Sequence, residues 1–136
     1  MKFLKAFLAA LIGSVAANVA VISVLGPLVN NPANPIMALT PSAVAIFTTA
    51  GAIGATIVYA IMRALMARPQ KAFVWVSAVV LIASFIPDYM IIGQSTGPFA
   101  GTTLSGGLVL MLLHVIAAVI IVLALVKIWG SKGVSA

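Results

Sequence analysis

The sequence has 136 residues, of which 64% are hydrophobic and 6% charged, and it carries a net charge of +6. A water-soluble domain carries about a quarter charged residues, so water cannot solvate the surface this chain presents and lipid must be its solvent. The chain has no cysteine, which excludes thiol redox chemistry, Cys-ligated zinc and disulfides; its cations sit in small groups at the ends of apolar runs, a pattern of membrane topology and not of nucleic-acid binding.

A bilayer core about 30 Å thick is crossed by about 20 apolar helical residues. Four stretches meet that length, at about residues 6–27, 42–65, 72–92 and 103–126. The expected fold is all-α: one transmembrane domain over 1–136, an integral membrane four-helix bundle with both termini in the cytoplasm. Helices are required because so few strands cannot close a barrel in lipid.

In chain order, residues 1–17 have the look of a signal peptide, with Lys2 and Lys5 ahead of an apolar core and Val15-Ala16-Ala17 at the cleavage position. The apolar run continues to Val29, however, which makes it a first span carrying Ser14, Asn18 and Ser23. A loop with Pro27, Pro32, Pro35 and Pro41 among Asn30, Asn31 and Asn34 follows, a composition that favours turns. The second span carries Thr48, Thr49 and Thr56 and ends near Arg63, whose stem is long enough to snorkel. The turn through Arg68, Pro69 and Lys71 is short, so the second and third spans are expected to be antiparallel neighbours. The third span carries Ser77, Ser84 and Asp88, and Pro87 is expected to break it, placing Asp88 in the first turn of a short outer helix. After a loop with Gly93, Gly97 and Gly101, the fourth span carries His114 and ends at Lys127 and Lys132. Lys2, Lys5, Arg63, Arg68, Lys71, Lys127 and Lys132 all fall on one side, which the positive-inside rule makes cytoplasmic.

Polar side chains inside spans are costly and therefore informative. Ser77, Leu81, Ser84 and Asp88 share a face of the third span, as do Gly107, Met111, His114, Ala118 and Ile121 on the fourth and Thr49, Thr56 and Arg63 on the second. The plain reading of the Ser, Thr and Asn residues, with Gly13, Ala17, Ala50, Gly51, Gly54, Gly106 and Gly107, is helix-packing glue. His114 is either a histidine tied to Asn18 or Ser84, or a proton relay, a ligand contact, or an axial ligand of haem or chlorophyll; a lone histidine makes a metal site weak. At about 1.5 Å per residue, Asp88 lies roughly 6 Å further out than His114, close enough to pair directly or through one water. The candidate polar site is thus His114, Asp88, Ser84, Asn18 and Thr49, with Pro87 as a helix break.

From residue 41 to 126 the chain resembles a bacterial family of four-helix integral membrane proteins of unknown function. The resemblance rests on the run through Arg63 to Lys71, on Ser84-Phe85-Ile86-Pro87-Asp88, on Thr102-Thr103, and on Leu110-Met111-Leu112-Leu113-His114 followed by Val115-Ile116-Ala117-Ala118. It implies a fold and a focus on Ser84, Pro87 and His114, and no activity.

No phosphate loop and no nucleophile–base–acid set at workable depths is present, and the first span lacks the acidic residue of small four-helix drug exporters. The expected function is non-enzymatic: a small accessory or self-associating subunit of a membrane assembly, with lipid and protein as partners. The alternatives are a small transporter or proton-coupled channel with an outer-half polar pocket, and a haem- or chlorophyll-binding subunit through His114. The topology has a direct test. Single cysteines replacing Asn31 and Ser95 should react with an impermeant maleimide from outside; reaction from the cytoplasmic side alone would refute the topology.

Overall fold

The computed structural model describes residues 1–31, 33 and 35–130; Lys132, expected among the cytoplasmic cations, lies outside them. The described residues form four long helices: α1 (Lys2–Val29), α2 (Pro41–Leu65), α3 (Pro69–Met90) and α4 (Leu104–Leu123). A 3-10 turn at Met37–Leu39 precedes α2, and α4 runs on into a π-helical segment, Ala124–Trp129. Among the described residues there is no strand. All four helices are long and apolar enough to cross a membrane.

Local chemistry sets the helix starts. Pro41 and Pro69 occupy first-turn positions, where a missing N–H costs nothing. The Thr103 hydroxyl caps α4 by accepting from Gly106 N at 3.2 Å, and Thr40 does the same for α2 from Ala43 N at 3.4 Å. Pro27 does not end α1, and Pro87 does not break α3 as the sequence had suggested: the helix runs through it to Met90. Asp88 therefore lies in the last turn of α3 and not at the start of a new helix. Pro87 removes one backbone bond, to the Ala83 carbonyl, and the ladder resumes past it, Ile91 N donating to the Pro87 carbonyl at 3.2 Å.

Packing is uneven. α1 buries every fourth residue (Ala6, Ala10, Ser14, Asn18, Ile22, Gly26), and this ridge packs on both α2 and α4. α3 packs chiefly on α4 and has only Phe73 and Asp88 buried; its contacts with α2 are few. The helices run in the spatial order α2, α1, α4, α3. The expected α2–α3 neighbourhood holds at their joining turn, where the rings of Tyr59 and Phe73 lie 4.7 Å apart.

That end is where the cations gather, and all four helices meet there through aromatic rings. Trp129 lies 4.8 Å from Phe3 and 5.4 Å from Tyr59, edge to face. The Arg63 guanidinium sits 5.0 Å from the Trp129 ring and donates to the Trp129 carbonyl at 2.9 Å. This turns the expected snorkelling side chain into a clamp on the last described helical turn.

The glycines divide by what surrounds them. A Cβ on Gly107 would lie 2.6 Å from two carbons of Ile92, just past α3, and 3.4 Å from the Asp88 carbonyl, and one on Gly106 3.1 Å from Leu39 Cδ1, so this pair lets the end of α3 and the 3-10 turn approach α4. Gly51 and Gly54, expected in the same packing pattern, meet nothing within 4 Å. Gly107→Leu should therefore cost about 1–3 kcal/mol by overpacking, whereas Gly54→Ala should cost nothing. Thermal unfolding of both variants in mild detergent checks this; equal losses would contradict the packing described.

Candidate functional site

Three helices converge on the side chain of Asn18. Its Nδ2 donates to Thr48 Oγ1 of α2 at 3.0 Å and to the Leu113 carbonyl of α4 at 3.1 Å. Both protons of the amide are spent across helix interfaces, where a lost polar bond finds no water to replace it. Its Oδ1 is fully buried and accepts nothing.

The second pairing joins α3 to α4. His114 Nδ1 lies 2.8 Å from Asp88 Oδ2 and 2.9 Å from the Leu110 carbonyl one turn back. The ring N–H is aligned with Leu110, and Asp88 Oδ2 sits off that axis: it makes a close charge contact but has no aligned donor. Because Nδ1 faces two oxygens it carries a proton. Asp88 is 7% exposed, while the His114 side chain is 43% exposed. His114 thus stands at a rim and is not enclosed by the bundle.

Between α2 and α3 lies a cavity of about 410 Å³. Asn18, Thr48, Asp88 and His114 supply its polar wall; Val44, Leu110, Leu113 and Ile121 supply much of the apolar one. Ala38 of the 3-10 turn and Phe99 of the following loop close in from the end away from the cations. Rim residues Phe47, Pro87 and His114 are exposed, so the cavity opens along the α2–α3 seam.

Of the residues expected from sequence, Asn18, Asp88 and His114 line this cavity, and Pro87 borders it. Ser84 and Thr49 do not. The Ser84 hydroxyl donates to the Leu81 carbonyl of its own helix at 2.6 Å. On α2 the buried positions are Val44, Thr48, Ala52, Thr56 and Tyr59, which turns Thr48 inward and leaves Thr49 at the flank; Arg63 of the expected stripe is exposed. On α4 the buried face runs through Gly106, Gly107, Val109, Leu110, Leu113 and Ile121; it shares Gly107 and Ile121 with the expected stripe, whose Met111 and Ala118 are half-buried and whose His114 is exposed. The α3 stripe lies as expected, Ser77, Leu81 and Ser84 half-buried and Asp88 buried. Thr48, Phe47 and Phe99 are among the lining residues outside the expected site; Thr48 carried the signal of a polar residue four places from Ala52 and eight from Thr56. Among the described residues no group of three or more His, Cys, Asp or Glu side chains forms a metal site.

Comparison with known proteins gives one match. The family model described as "Family of unknown function (DUF6069)" matches residues 2–129, and the chain belongs to that family. The match takes in α1, which the resemblance read from the sequence had left out. No curated protein and no solved structure matches.

Two expectations follow for the site. Asn18→Leu should destabilise the protein by about 0.5–2 kcal/mol, because Thr48 and the Leu113 carbonyl lose a shared donor. Asp88→Ala and His114→Ala should each lower the unfolding temperature, with the double variant losing less than the sum. Strictly additive losses would show that the pair is not coupled.

Proposed function

We propose that this member of the DUF6069 family is a non-enzymatic protein of the bacterial inner membrane, with four spans and both ends in the cytoplasm, serving as a small binding subunit of a membrane assembly. One observation carries the reading: α3 is held by α4 and hardly at all by α2. That attachment opens the cavity on one side of α3 and leaves its other side free.

The free side has a regular pattern. Trp75, Val79, Ile82, Ile86 and Tyr89 are spaced four, three, four and three residues apart, and each is 60% exposed or more. This is the spacing of a seam that takes a second helix at a shallow left-handed crossing. A second copy of the chain, presenting the same face, is the simplest partner. Membrane placement follows from the four apolar helices, and orientation from the described cations, which cluster at the end where Phe3, Tyr59 and Trp129 meet.

Binding suits the polar group better than catalysis. Asp88 is the chain's one acid and His114 its one imidazole, and Nδ1 is committed to Leu110 and Asp88. A conduit is the weaker rival: the polar wall lies in one half, and Tyr59, Phe73 and Leu125 are packed at the other. Ligation of haem or chlorophyll, the remaining rival, draws on Nε2 of His114; a visible absorbance band abolished by His114→Ala would establish it in place of this reading.

The test is association in a bilayer. Native mass spectrometry from nanodiscs should show more than one copy or a bound subunit, and a cysteine replacing Ile82 should cross-link where one replacing Ile12 on α1 does not. A lone monomer without cross-links along the α3 seam would refute the subunit role.

A further inference from the structure

The hydrogen-bonding capacity around the cavity is lopsided. Both Asn18 N–H groups are spent on Thr48 and Leu113, and the His114 Nδ1–H is spent on Leu110. Two buried oxygens here have no hydrogen-bond partner, Asn18 Oδ1 and Asp88 Oδ2, the second lying 2.8 Å from His114 Nδ1 but off the axis of its bond to Leu110. Asn18 is 2% exposed and Asp88 7%, so water cannot freely supply the missing donors. An unpaired buried acceptor costs roughly 1–3 kcal/mol, and a charged one more.

The rest of the wall is apolar, with Phe47 and Phe99 at its margins. The described Lys and Arg residues sit on α1, α2, the α2–α3 turn, α3 and the π-helical segment at the other end of the bundle, so His114 is the one basic side chain beside Asp88. We propose that this cavity is a binding site for a primary ammonium group borne on an apolar body. An ammonium has three donors and no acceptor, which suits a wall whose two unpaired buried polar atoms are both acceptors. Its charge meets the one carboxylate of the chain in a setting of low dielectric, and aromatic rims favour a cation that has shed its water. The apolar body lies along Val44, Leu110 and Leu113, and the opening on the α2–α3 seam lets it enter from the lipid side. The inference rests on the binding reading above but not on the identity of any protein partner. Two sources carry this chemistry, a free lipophilic amine and the ethanolamine headgroup of a phospholipid.

The experiment uses the full chain purified in a maltoside detergent. 2-Phenylethylamine should bind and raise the unfolding temperature, while 2-phenylethanol and 3-phenylpropionate, close in shape but neutral and anionic, should bind about tenfold more weakly or not at all. Asp88→Asn, which keeps the shape and removes the charge, should weaken amine binding by about tenfold or more; if that variant does not fold, the ligand series on the unaltered protein decides alone. Nanodiscs of phosphatidylethanolamine against phosphatidylcholine separate the sources. Retention of the ethanolamine lipid in native mass spectra, lost in Asp88→Asn, assigns the site to the headgroup. Amine binding without such retention assigns it to a free amine. Equal affinity for amine and alcohol, or amine binding unchanged by Asp88→Asn, would overturn the proposal. Neither result would touch the association test along the α3 seam.

Discussion

The side-chain amide of Asn18 is the constraint from which the rest of this bundle follows. With one proton on Thr48 and the other on the Leu113 carbonyl, it fixes α1, α2 and α4 to one another at a single level. In lipid there is no hydrophobic gain from bringing apolar helices together, so close backbone approach and such polar bonds decide which helices pack. α1 has both: an every-fourth-residue ridge of small or short side chains from Ala6 to Gly26, and the amide in its middle. α3 has neither toward α2. Its attachment is the Gly107 contact and the Asp88–His114 pair on α4. The seam between α2 and α3 is left to the cavity.

The two ends of the bundle consequently differ in kind. At the cationic end Phe3, Tyr59, Phe73 and Trp129 bring all four helices together, and Arg63 locks the last turn. The π-helical winding of Ala124–Trp129 belongs to this closure, since it carries Trp129 onto Tyr59 and Phe3. At the neutral end the loops close the bundle more loosely. Three glycines with positive φ, Gly93, Gly97 and Gly101, shape the second loop, and backbone bonds from Gly93 to Thr102 and from Gly101 to Gln94 tie its two limbs together. Phe99 is carried by this loop to the edge of the cavity. A rigid base beneath a looser mouth suits a protein that holds something between α2 and α3.

Helix number, all-helical class and the nearness of Asp88 to His114 were legible in the sequence, because apolar length and helical rise are fixed quantities. Which face of each helix turns inward was only partly legible. In water the buried face is the apolar one; in lipid both faces are apolar, and Ile82 or Val79 on the outside of α3 looks no different from Leu81 on the inside. Polar residues were the remaining guide. They succeeded on α1 and α3, where a single row held Ser14 with Asn18 and Ser77 with Asp88. They failed on α2, where Thr48 and Thr49 are adjacent and a heptad through Thr49, Thr56 and Arg63 competed with the shorter period through Thr48, Ala52, Thr56 and Tyr59. On α4 they held only at Gly107 and Ile121, because His114 stands at the rim of the cavity and not on the packed face. The Pro87 misreading has a different cause: one proline takes only the Ala83 carbonyl's partner away, and the ladder resumes beyond it, with Ile91 N donating to the Pro87 carbonyl at 3.2 Å.

The central claim is that α3 swings away from α2 at the neutral end and meets it at the cationic end. Spin labels in nanodiscs measure this directly, one pair replacing Phe47 and Met90 and another replacing Ile61 and Val74. The account predicts a longer and broader distance distribution for the Phe47–Met90 pair than for the Ile61–Val74 pair. Equal distances, or a shorter one at the Phe47–Met90 end, would mean that α2 and α3 pack along their length and that the cavity between them does not exist.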